Sequence, residues 1–527
     1  MSKKSLVLTI VAHQPYIRCV SGSESSAEIE MLFSAISGTY LPLLNMFERL
    51  DMDCVPFKVS MVLTPTLCAL LADYEVQQCY VAWLDRVIEL GNMQVASLPK
   101  NAPNRKVAKE CLSRYKKNKE DFLFLYKSDL LSAFRYYADR GSIELLATCA
   151  TSAFLPHYAD IPEAVNAQIE AGLYSHRQFF GVIPEGFWFP AMGYVGGLEK
   201  VLRSYGFTYT MLDSHGLLFS EPAPTAGIFS PVRCEAGLVM FARDFSAETQ
   251  TTGRGGFMWN PLYRDQDRDL AFESSADELK DFLVQDGART STGYKYWKRS
   301  SEGSEWYDFA AAQKQVALDA DKFVASRRQM LDKAEKFLET SNLSLVCAFD
   351  ARIFGQNWFE GVDWLEQVLR KIASSDDVET AHCSSLVGGK NSLPVVVPFM
   401  SAALGTGYGE DALDTSNDWM LRYSRKSCEQ MVQLVERFPK ETGLKERVLN
   451  TAARELLLAQ AVDWPVMMHH KLFPDYAEAQ FKKSIKAFTN VYDSLGSTSV
   501  STEWLTNMEQ EHPLFPWINY QIFSRKK

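Results

Sequence analysis

The stretch Gly186–Tyr194, GFWFPAMGY, is the part of the sequence from which the fold can be argued. Consecutive large apolar residues at Phe187–Phe189 predict a short buried strand, and Pro190 ends it. In a barrel of parallel strands, the residues that directly follow the C-terminal end of a strand face the active site. Here these residues are Ala191 and Met192, and neither side chain can act as an acid, a base or a nucleophile.

Similar apolar runs recur along the chain, and a helical pattern follows each of them. Continuous rather than alternating hydrophobicity is typical of parallel strands that are buried on both faces. Seven such strands with helices between them predict a closed or nearly closed β/α barrel. The runs are Leu6–Val11, Phe57–Leu63, Ile143–Cys149, Phe187–Phe189, Thr208–Leu212, Leu238–Phe241 and Leu343–Phe349.

The segments between these strands suggest three regions. Residues 1–64 and 141–400 form the predicted barrel, residues 65–140 a helical insertion, and residues 401–527 an all-helical C-terminal domain. A basic run at Arg114–Lys119 is interpreted as a solvated helix face. Residues Thr251–Lys336 are expected to form a long polar and aromatic-rich connection.

Length, composition and charge exclude several classes of function. The chain has 527 residues, of which 46% are hydrophobic and 23% charged, as in ordinary globular proteins. Its net charge of −10 argues against nucleic acid or an anionic membrane as a partner. No apolar segment reaches the roughly 18 residues that span a bilayer. The N-terminal apolar run lacks a small-residue cleavage site, so a first strand is expected there rather than a signal peptide.

The ten cysteines show no CxxC motif and no regular spacing. Several lie in apolar runs, as in LVCAF at residues 345–349, where a cysteine is usually a small core residue. The expectation is therefore reduced thiols and a cytoplasmic location.

Polar residues follow most of the predicted strands, where a barrel would bring them to one face. Each of these residues could belong to a polar site or have a purely structural role, and both interpretations remain open. The aspartates can cap the helices that follow, Arg243 and Asp244 can form an ion pair at a strand end, and His13 can be a hydrogen-bonded core histidine. The polar residues are His13 and Tyr16 after the first strand, then Thr151, Ser152, Asp213, His215, Arg243, Asp244 and Asp350. The fourth strand is the exception, because the apolar residue Ala191 follows it.

No metal or cofactor is expected. A metal site needs His, Cys, Asp or Glu at short regular spacings, and His469-His470 is the only close pair of histidines. Adjacent residues on a helix point apart, which argues against shared ligation. No GxSxG, P-loop or GxGxxG motif lies at a predicted strand–helix junction.

Seven stretches, taken in order, resemble glycoside hydrolase family 57, in its branch of 1,4-alpha-glucan branching enzymes and amylase-like relatives. The resemblance covers nearly the whole chain and implies an incomplete (β/α)7 barrel with a helical insertion and a helical C-terminal domain. The stretches are AHQPYI (Ala12–Ile17), GSIELLATCATSAFLP (Gly141–Pro156), GFWFPAMGY, FARDFSAETQ (Phe241–Gln250), FDARIFGQNWFEG (Phe349–Gly361), AARELLLAQAVDWP (Ala452–Pro465) and FPWINYQIF (Phe515–Phe523).

The resemblance implies a retaining reaction, in which one carboxylate attacks the anomeric carbon and a second protonates the leaving oxygen. The acid/base position corresponds to Asp350. The nucleophile position corresponds to Ala191, whose methyl group cannot form a glycosyl-enzyme intermediate. The resemblance thus implies a family member whose usual chemistry is impaired.

Further departures fall in the same motifs. Arg352 places a positive charge close to Asp350, which favours the ionised carboxylate, and an ionised carboxylate is a poor general acid. The substituted positions are Val11 and Ser152 in place of histidines, Arg352 in place of a glutamate, Gln356 in place of a histidine, and Asn357 and Tyr408 in place of tryptophans.

The resemblance also implies a sugar-binding set and an α-glucan polysaccharide or oligosaccharide as partner. We expect a protein that binds α-glucan without cleaving it. The alternative is an active retaining or inverting enzyme with a relocated carboxylate from Asp213, Asp244 or Glu410, and a protein-interaction role without sugar contact also stays open. The sugar-binding set is His13, Tyr16, Trp188, Tyr194, Arg243, Asp244, Trp358, Tyr408, Asp463 and Trp464.

Overall fold

Two sheets of mainly parallel strands lie at the centre of the fold. The computed structural model describes residues 4–20, 26–279, 282, 289–299, 305–338, 343–388, 392–495 and 501–526. The strands are β1 (Lys4–Ala12), β2 (Val59–Leu63), β3 (Ile143–Leu146), β4 (Gly186–Phe187), β5 (Tyr209–Leu212), β6 (Val232–Arg233), β7 (Val239–Ala242), β8 (Ser344–Asp350) and β9 (Val378–Thr380).

The first sheet has the order β3-β2-β1-β8, and β9 pairs with the first residues of β1. The second sheet has the order β4-β5-β7-β6, in which only β6 is antiparallel to its neighbour. Two isolated parallel bridges join the sheets, between Ala147 and Phe187 and between Arg243 and Val346. Each predicted apolar run overlaps a strand, which confirms the α/β class, although β4 shares only Phe187 with its run. The short strands β6 and β9 were not predicted because they contain polar residues and no continuous apolar run.

Helices surround the sheets and form the C-terminal region. In the described residues they are α1 (Ala27–Ala35), α2 (Leu41–Met52), α3 (Pro65–Ala72), α4 (Tyr74–Ser97), α5 (Pro103–Glu120), α6 (Leu130–Asp139), α7 (Pro162–Phe180), α8 (Leu198–Ser204), α9 (Ser214–Leu218), α10 (Phe245–Thr251), α11 (Leu270–Glu273), α12 (Ala276–Leu279), α13 (Phe309–Leu338), α14 (Gly361–Ala373), α15 (Cys383–Leu386), α16 (Asp418–Arg437), α17 (Leu444–Ala459), α18 (Asp463–His469), α19 (Pro474–Ser494) and α20 (Thr502–Glu511). None of these helices has the length and apolar character needed to cross a membrane.

Helices α3 to α6 occupy the segment between β2 and β3, and α16 to α20 occupy the C-terminal region. The exact division into domains stays a prediction. The expected polar connection at Thr251–Lys336 is corrected, because its last third belongs to the 30-residue helix α13. The buried residues Ala312, Val316 and Ala320 repeat at four-residue spacing, but charged neighbours mask this apolar stripe in the sequence.

The cysteines also differ from expectation. Cys19 and Cys79 form a disulfide, whereas reduced thiols were expected throughout. The free cysteines in the described residues are buried, with the exception of the exposed Cys54. The buried ones are small core residues, as their apolar neighbours indicate. A cytoplasmic location remains a prediction.

A buried ion pair attaches α13 to the end of β7. The Arg327 guanidinium donates to the Asp244 carboxylate, and both side chains are almost fully buried. The other oxygen of Asp244 accepts from the main-chain N–H of Ser246 at 2.9 Å and so caps α10. A charge at this depth depends on its partner, because water does not reach it.

Replacing Arg327 by Leu removes the only cation that Asp244 contacts among the described residues. We expect the Arg327→Leu variant to be destabilised by about 3–5 kcal/mol, because the carboxylate becomes a buried unpaired charge. The double variant Arg327→Leu/Asp244→Asn buries no charge and keeps an oxygen that caps α10, so it should recover most of this loss. Denaturant midpoints of the three proteins test the effect. Equal midpoints for the wild type and Arg327→Leu would contradict it.

Candidate active site

The C-terminal ends of the parallel strands bring several predicted residues to one face of the sheets. β1 pairs with β8 so that Val11 faces Asp350, and with β2 so that Ala12 faces Leu63. His13 therefore leaves β1 beside Thr64 and close to the end of β8. This register follows from the burial of β1 on both faces, because a shift of one residue would exchange the side chains of the two faces.

His13 forms the centre of a polar row. Its Nδ1 lies 3.0 Å from Thr64 Oγ1 and 3.1 Å from Ser152 Oγ, and its Nε2 lies 2.7 Å from Asp463 Oδ1. Asp463 is the first residue of α18, so the row connects three strand ends with the C-terminal helices. Ser152 has a positive φ of 55° but is only 5% exposed, so its hydroxyl is not open to a substrate. The hydroxyl groups of Thr64 and Ser152 are both buried, so neither is an accessible nucleophile.

Asp350 is bound on both carboxylate oxygens by Arg352. The Arg352 Nε lies 3.1 Å from each oxygen and Nη2 lies 2.6 Å from Oδ2. The main-chain N–H of Arg352 also donates to Oδ1 at 2.8 Å. The charge of Asp350 raises the pKa of the Arg352 guanidinium, so this cation stays charged. These four contacts hold both oxygens of Asp350 against Arg352.

Ala191 lies in a turn with an unusual backbone. Its φ of 52° and ψ of 23° are left-handed, and Met192 also has a φ of 52°. Hydrogen bonds maintain the turn: Met192 N–H donates to Phe189 O at 2.8 Å, and Ala403 N–H donates to Ala191 O at 2.7 Å. Non-glycine residues adopt this conformation at a cost of about 1–3 kcal/mol, and such strain is concentrated at functional sites. The side chain at this left-handed position is only the methyl group of Ala191.

A second cluster of charged and polar side chains lies at the ends of β5 and β7. Arg243 donates from Nε to Asp213 at 2.7 Å and from Nη1 to Glu248. His215 Nδ1 lies 3.2 Å from Asp213, and its Nε2 lies 2.9 Å from the carbonyl oxygen of Gly407. The predicted pair of Arg243 with Asp244 is corrected, because β5 and β7 are neighbours and place Asp213 beside Arg243. Asp213 makes no capping hydrogen bond to α9.

The three carboxylates considered as replacements for the nucleophile are all engaged. Asp213 contacts Arg243, and Asp244 contacts Arg327. Glu410 accepts from the hydroxyl of Thr406 and from main-chain N–H groups in its loop. The hydrogen bond from Thr406 is the largest cause of the lowered pKa of Glu410. None of them is an unpaired carboxylate beside a vacant position.

Most of the aromatic residues in the predicted sugar-binding set are enclosed in the core. Stacking on a sugar needs an open ring face, and in this structure these rings pack against protein, so their part in sugar binding stays a prediction. Tyr408 is different, because it is 49% exposed and its ring meets that of His215 edge-on at 5.3 Å. The enclosed residues are Tyr16 against His512, Trp188, Tyr194 with its hydroxyl on Glu199, Trp358 against Tyr263 and Trp364, and Trp464 with its indole N–H on Leu458 O.

A cavity of about 410 Å³ was missed at the level of sequence. It lies between α1, α4, α5, residues 264–272 and 289–295 and the loop after β8, so no single motif encodes it. The guanidinium groups of Arg114 and Arg264 stack on Phe359 at 4.1 and 3.6 Å, which corrects the view of Arg114–Lys119 as a fully solvated face. The lining includes the aromatic residues Trp83, Tyr115, Phe272 and Phe359 and the polar residues Arg264, Gln266 and Gln356, but neither Ala191 nor Asp350.

Solved structures with the same fold include two glucan-active enzymes. Over the full length of both chains the protein is 30% identical to the alpha-amylase AmyC from Thermotoga maritima, with a TM-score of 0.92. A branching enzyme from Pyrococcus horikoshii is 22% identical and superimposes with a TM-score of 0.89, over 100% of this chain and 98% of that chain. The second likeness concerns the fold alone.

Sequence comparisons agree with the fold. The protein is 25% identical over 513 residues to a 1,4-alpha-glucan branching enzyme of Thermococcus kodakarensis, which covers 90% of this chain and 71% of the relative. The model of the C-terminal part of 1,4-alpha-glucan branching enzyme matches residues 424–523. The model of glycosyl hydrolase family 57 matches residues 7–301, more than half of the chain. The protein belongs to glycosyl hydrolase family 57.

Proposed function

We propose that this protein binds α-glucan with the architecture of a family 57 branching enzyme but does not perform the covalent reaction. The observation that carries the proposal is the methyl group of Ala191, in a strained turn where the resemblance places the nucleophilic glutamate. A retaining reaction needs a carboxylate there to attack the anomeric carbon. Relatives named as branching enzymes and an amylase suggest the class of ligand.

The acid/base side is also impaired. Protonation of the leaving oxygen needs a protonated carboxyl group at Asp350. The guanidinium of Arg352 contacts both oxygens of this residue, so neither oxygen is free to face a leaving group without displacing Arg352. Each of the two changes blocks a different half of the retaining reaction, so restoring one of them would not be enough.

Several groups remain that suit a neutral sugar. Tyr408 presents an exposed ring beside His215, and the polar row of His13 and Asp463 lies at the strand ends. Sugar binding commonly uses an aromatic face for the apolar side of the ring and hydrogen-bonding groups for its hydroxyls. The cavity near Phe359 combines the same two kinds of group and could receive further sugar units. No observation favours the alternative of a relocated carboxylate, because Asp213, Asp244 and Glu410 are all engaged.

The loss of catalysis is tested with amylose and short maltooligosaccharides. We expect the wild type to yield no branched and no shortened products. The double variant Ala191→Glu/Arg352→Glu restores both family positions and should show measurable turnover, which Asp350→Asn in the same background should abolish. Chromatography of the products gives the result. Turnover by the wild type that Asp350→Asn removes would contradict the proposal.

Binding is tested by electrophoresis in gels that contain glycogen. The wild type should migrate more slowly than in a gel without glycogen. Tyr408→Ala should weaken this retardation several-fold, because loss of a stacking ring costs on the order of 1 kcal/mol or more. Tyr74→Ala is the matched control, since Tyr74 is 68% exposed on α4 and does not line the cavity near Phe359. Equal mobility of the wild type in both gels would count against glucan binding.

A further inference from the structure

Asp411, His469 and His470 converge at the end of α18. Asp411 lies in a short 3-10 turn at Glu410–Ala412, and the two histidines come from the C-terminal end of the helix. His469 Nε2 lies 3.4 Å from Asp411 Oδ1, and His470 Nε2 lies 3.3 Å from Asp411 Oδ2. One ligand atom from each residue can be chosen so that all three lie within 4.8 Å of one another.

The local backbone explains why adjacent histidines can share a partner. α18 ends at His469, and His470 has a ψ of 0°, outside the helical range. The two imidazole rings are nearly perpendicular, at 84°, with their centroids 4.8 Å apart. The prediction that adjacent histidines point apart assumed that the helix continues through both residues, and it is wrong here.

Asp414 orients the first of the two histidines. Its Oδ2 lies 2.5 Å from His469 Nδ1, which leaves the Nε2 of that ring directed at Asp411. The other oxygen of Asp414 accepts from the main-chain N–H and the hydroxyl of Ser416. These contacts, those from Ser416 first, lower the pKa of Asp414 to about 2, so it is ionised at neutral pH. Histidines that bind a metal usually donate their other ring N–H to a carboxylate in this way.

We propose that Asp411, His469 and His470 form a binding site for a divalent transition-metal ion, with Zn²⁺ as the ion that fits best. Two imidazole nitrogens and one carboxylate oxygen are a common zinc ligand set with an open fourth position. Ligands about 2.0–2.1 Å from a tetrahedral ion are about 3.4 Å apart. Each histidine Nε2 lies at about this distance from a different oxygen of Asp411, and with one oxygen chosen the three ligand atoms lie within 4.8 Å of one another, so small side-chain rotations would close the site on an ion. Ca²⁺ and Mg²⁺ prefer oxygen ligands and fit less well. The half-exposed His470 leaves the fourth position to water.

The metal site would connect the loop that contains Tyr408 with helix α18, and the proposed function uses residues of both. Asp411 follows the loop that contains Tyr408, whereas α18 begins at Asp463, the partner of His13. A bound ion would therefore attach the Tyr408 loop to the C-terminal helices and limit its motion. The metal site itself does not depend on glucan binding, because its geometry rests on the three ligands and Asp414 alone.

The test uses the full chain, treated with a chelator and dialysed, in a Cys54→Ser background that removes the exposed thiol. Titration with ZnCl₂ in a calorimeter at pH 7.5 should show one ion per chain. Asp411→Asn and His470→Gln should each weaken binding at least tenfold, and Asp414→Asn about 10–100-fold. His382→Gln is the control and should leave the affinity unchanged, since His382 contacts Ser142 O and none of the ligands.

Two further readouts separate a metal site from a network of ion pairs. Co²⁺ should give the visible absorption of a tetrahedral site, and His470→Gln should remove it. Zinc affinity should fall as the pH is lowered, because protons compete with the metal ion for both imidazole nitrogens. Absence of zinc binding, or equal affinity in the wild type, Asp411→Asn and His470→Gln, would overturn the proposal. Tight binding of Mg²⁺ or Ca²⁺ in place of Zn²⁺ would overturn the assignment of the ion.

Discussion

The pairing of β1 constrains the rest of the molecule. This strand pairs with β2, β8 and β9, and nearly all of its residues are buried. Its register fixes which residues reach the C-terminal edge, so that His13 emerges beside Thr64 and near Asp350. His13 in turn binds Asp463 on α18. The barrel strands and the C-terminal helices are therefore connected through residues at the same edge at which the family performs its chemistry.

The same edge shows which features of the family are retained. The left-handed turn at Ala191 and the row of Thr64, His13 and Asp463 preserve the shape of a site. In the proposed function the reacting groups are missing or engaged, because Ala191 offers a methyl and both oxygens of Asp350 contact Arg352.

Much of the fold could be predicted because burial on both faces produces continuous apolar runs, as at Leu6–Val11 and Leu343–Phe349. Helix α13 could not, since its apolar stripe is interrupted by charged residues. For the site, the sequence identified Ala191 and Asp350 through the resemblance. It could not predict that Trp358 is enclosed in the core, because aromatic residues occur both in cores and in sugar-binding sites.

Partners across the structure were also beyond the sequence. Arg243 binds Asp213 rather than its sequence neighbour Asp244, because β5 and β7 are adjacent strands. The order of the strands is a property of the tertiary structure and could not be read from the sequence. The two adjacent histidines of α18 were misjudged for a similar reason, as the end of that helix was not foreseen. In both cases the prediction used residues that are close in sequence, whereas the contacts depend on the tertiary structure.

The central claim is that the chain has no nucleophile for a retaining reaction. The most direct measurement exposes the protein to an activated 5-fluoro maltosyl fluoride, which accumulates as a glycosyl-enzyme in retaining α-glucosidases, and determines the intact mass. Fluoride leaves without a proton from Asp350, so adduct formation depends on the nucleophile alone. We expect an unchanged mass for the wild type and a 5-fluoromaltosyl adduct on residue 191 of the Ala191→Glu variant. An adduct on the wild type, mapped to any aspartate or glutamate, would contradict it.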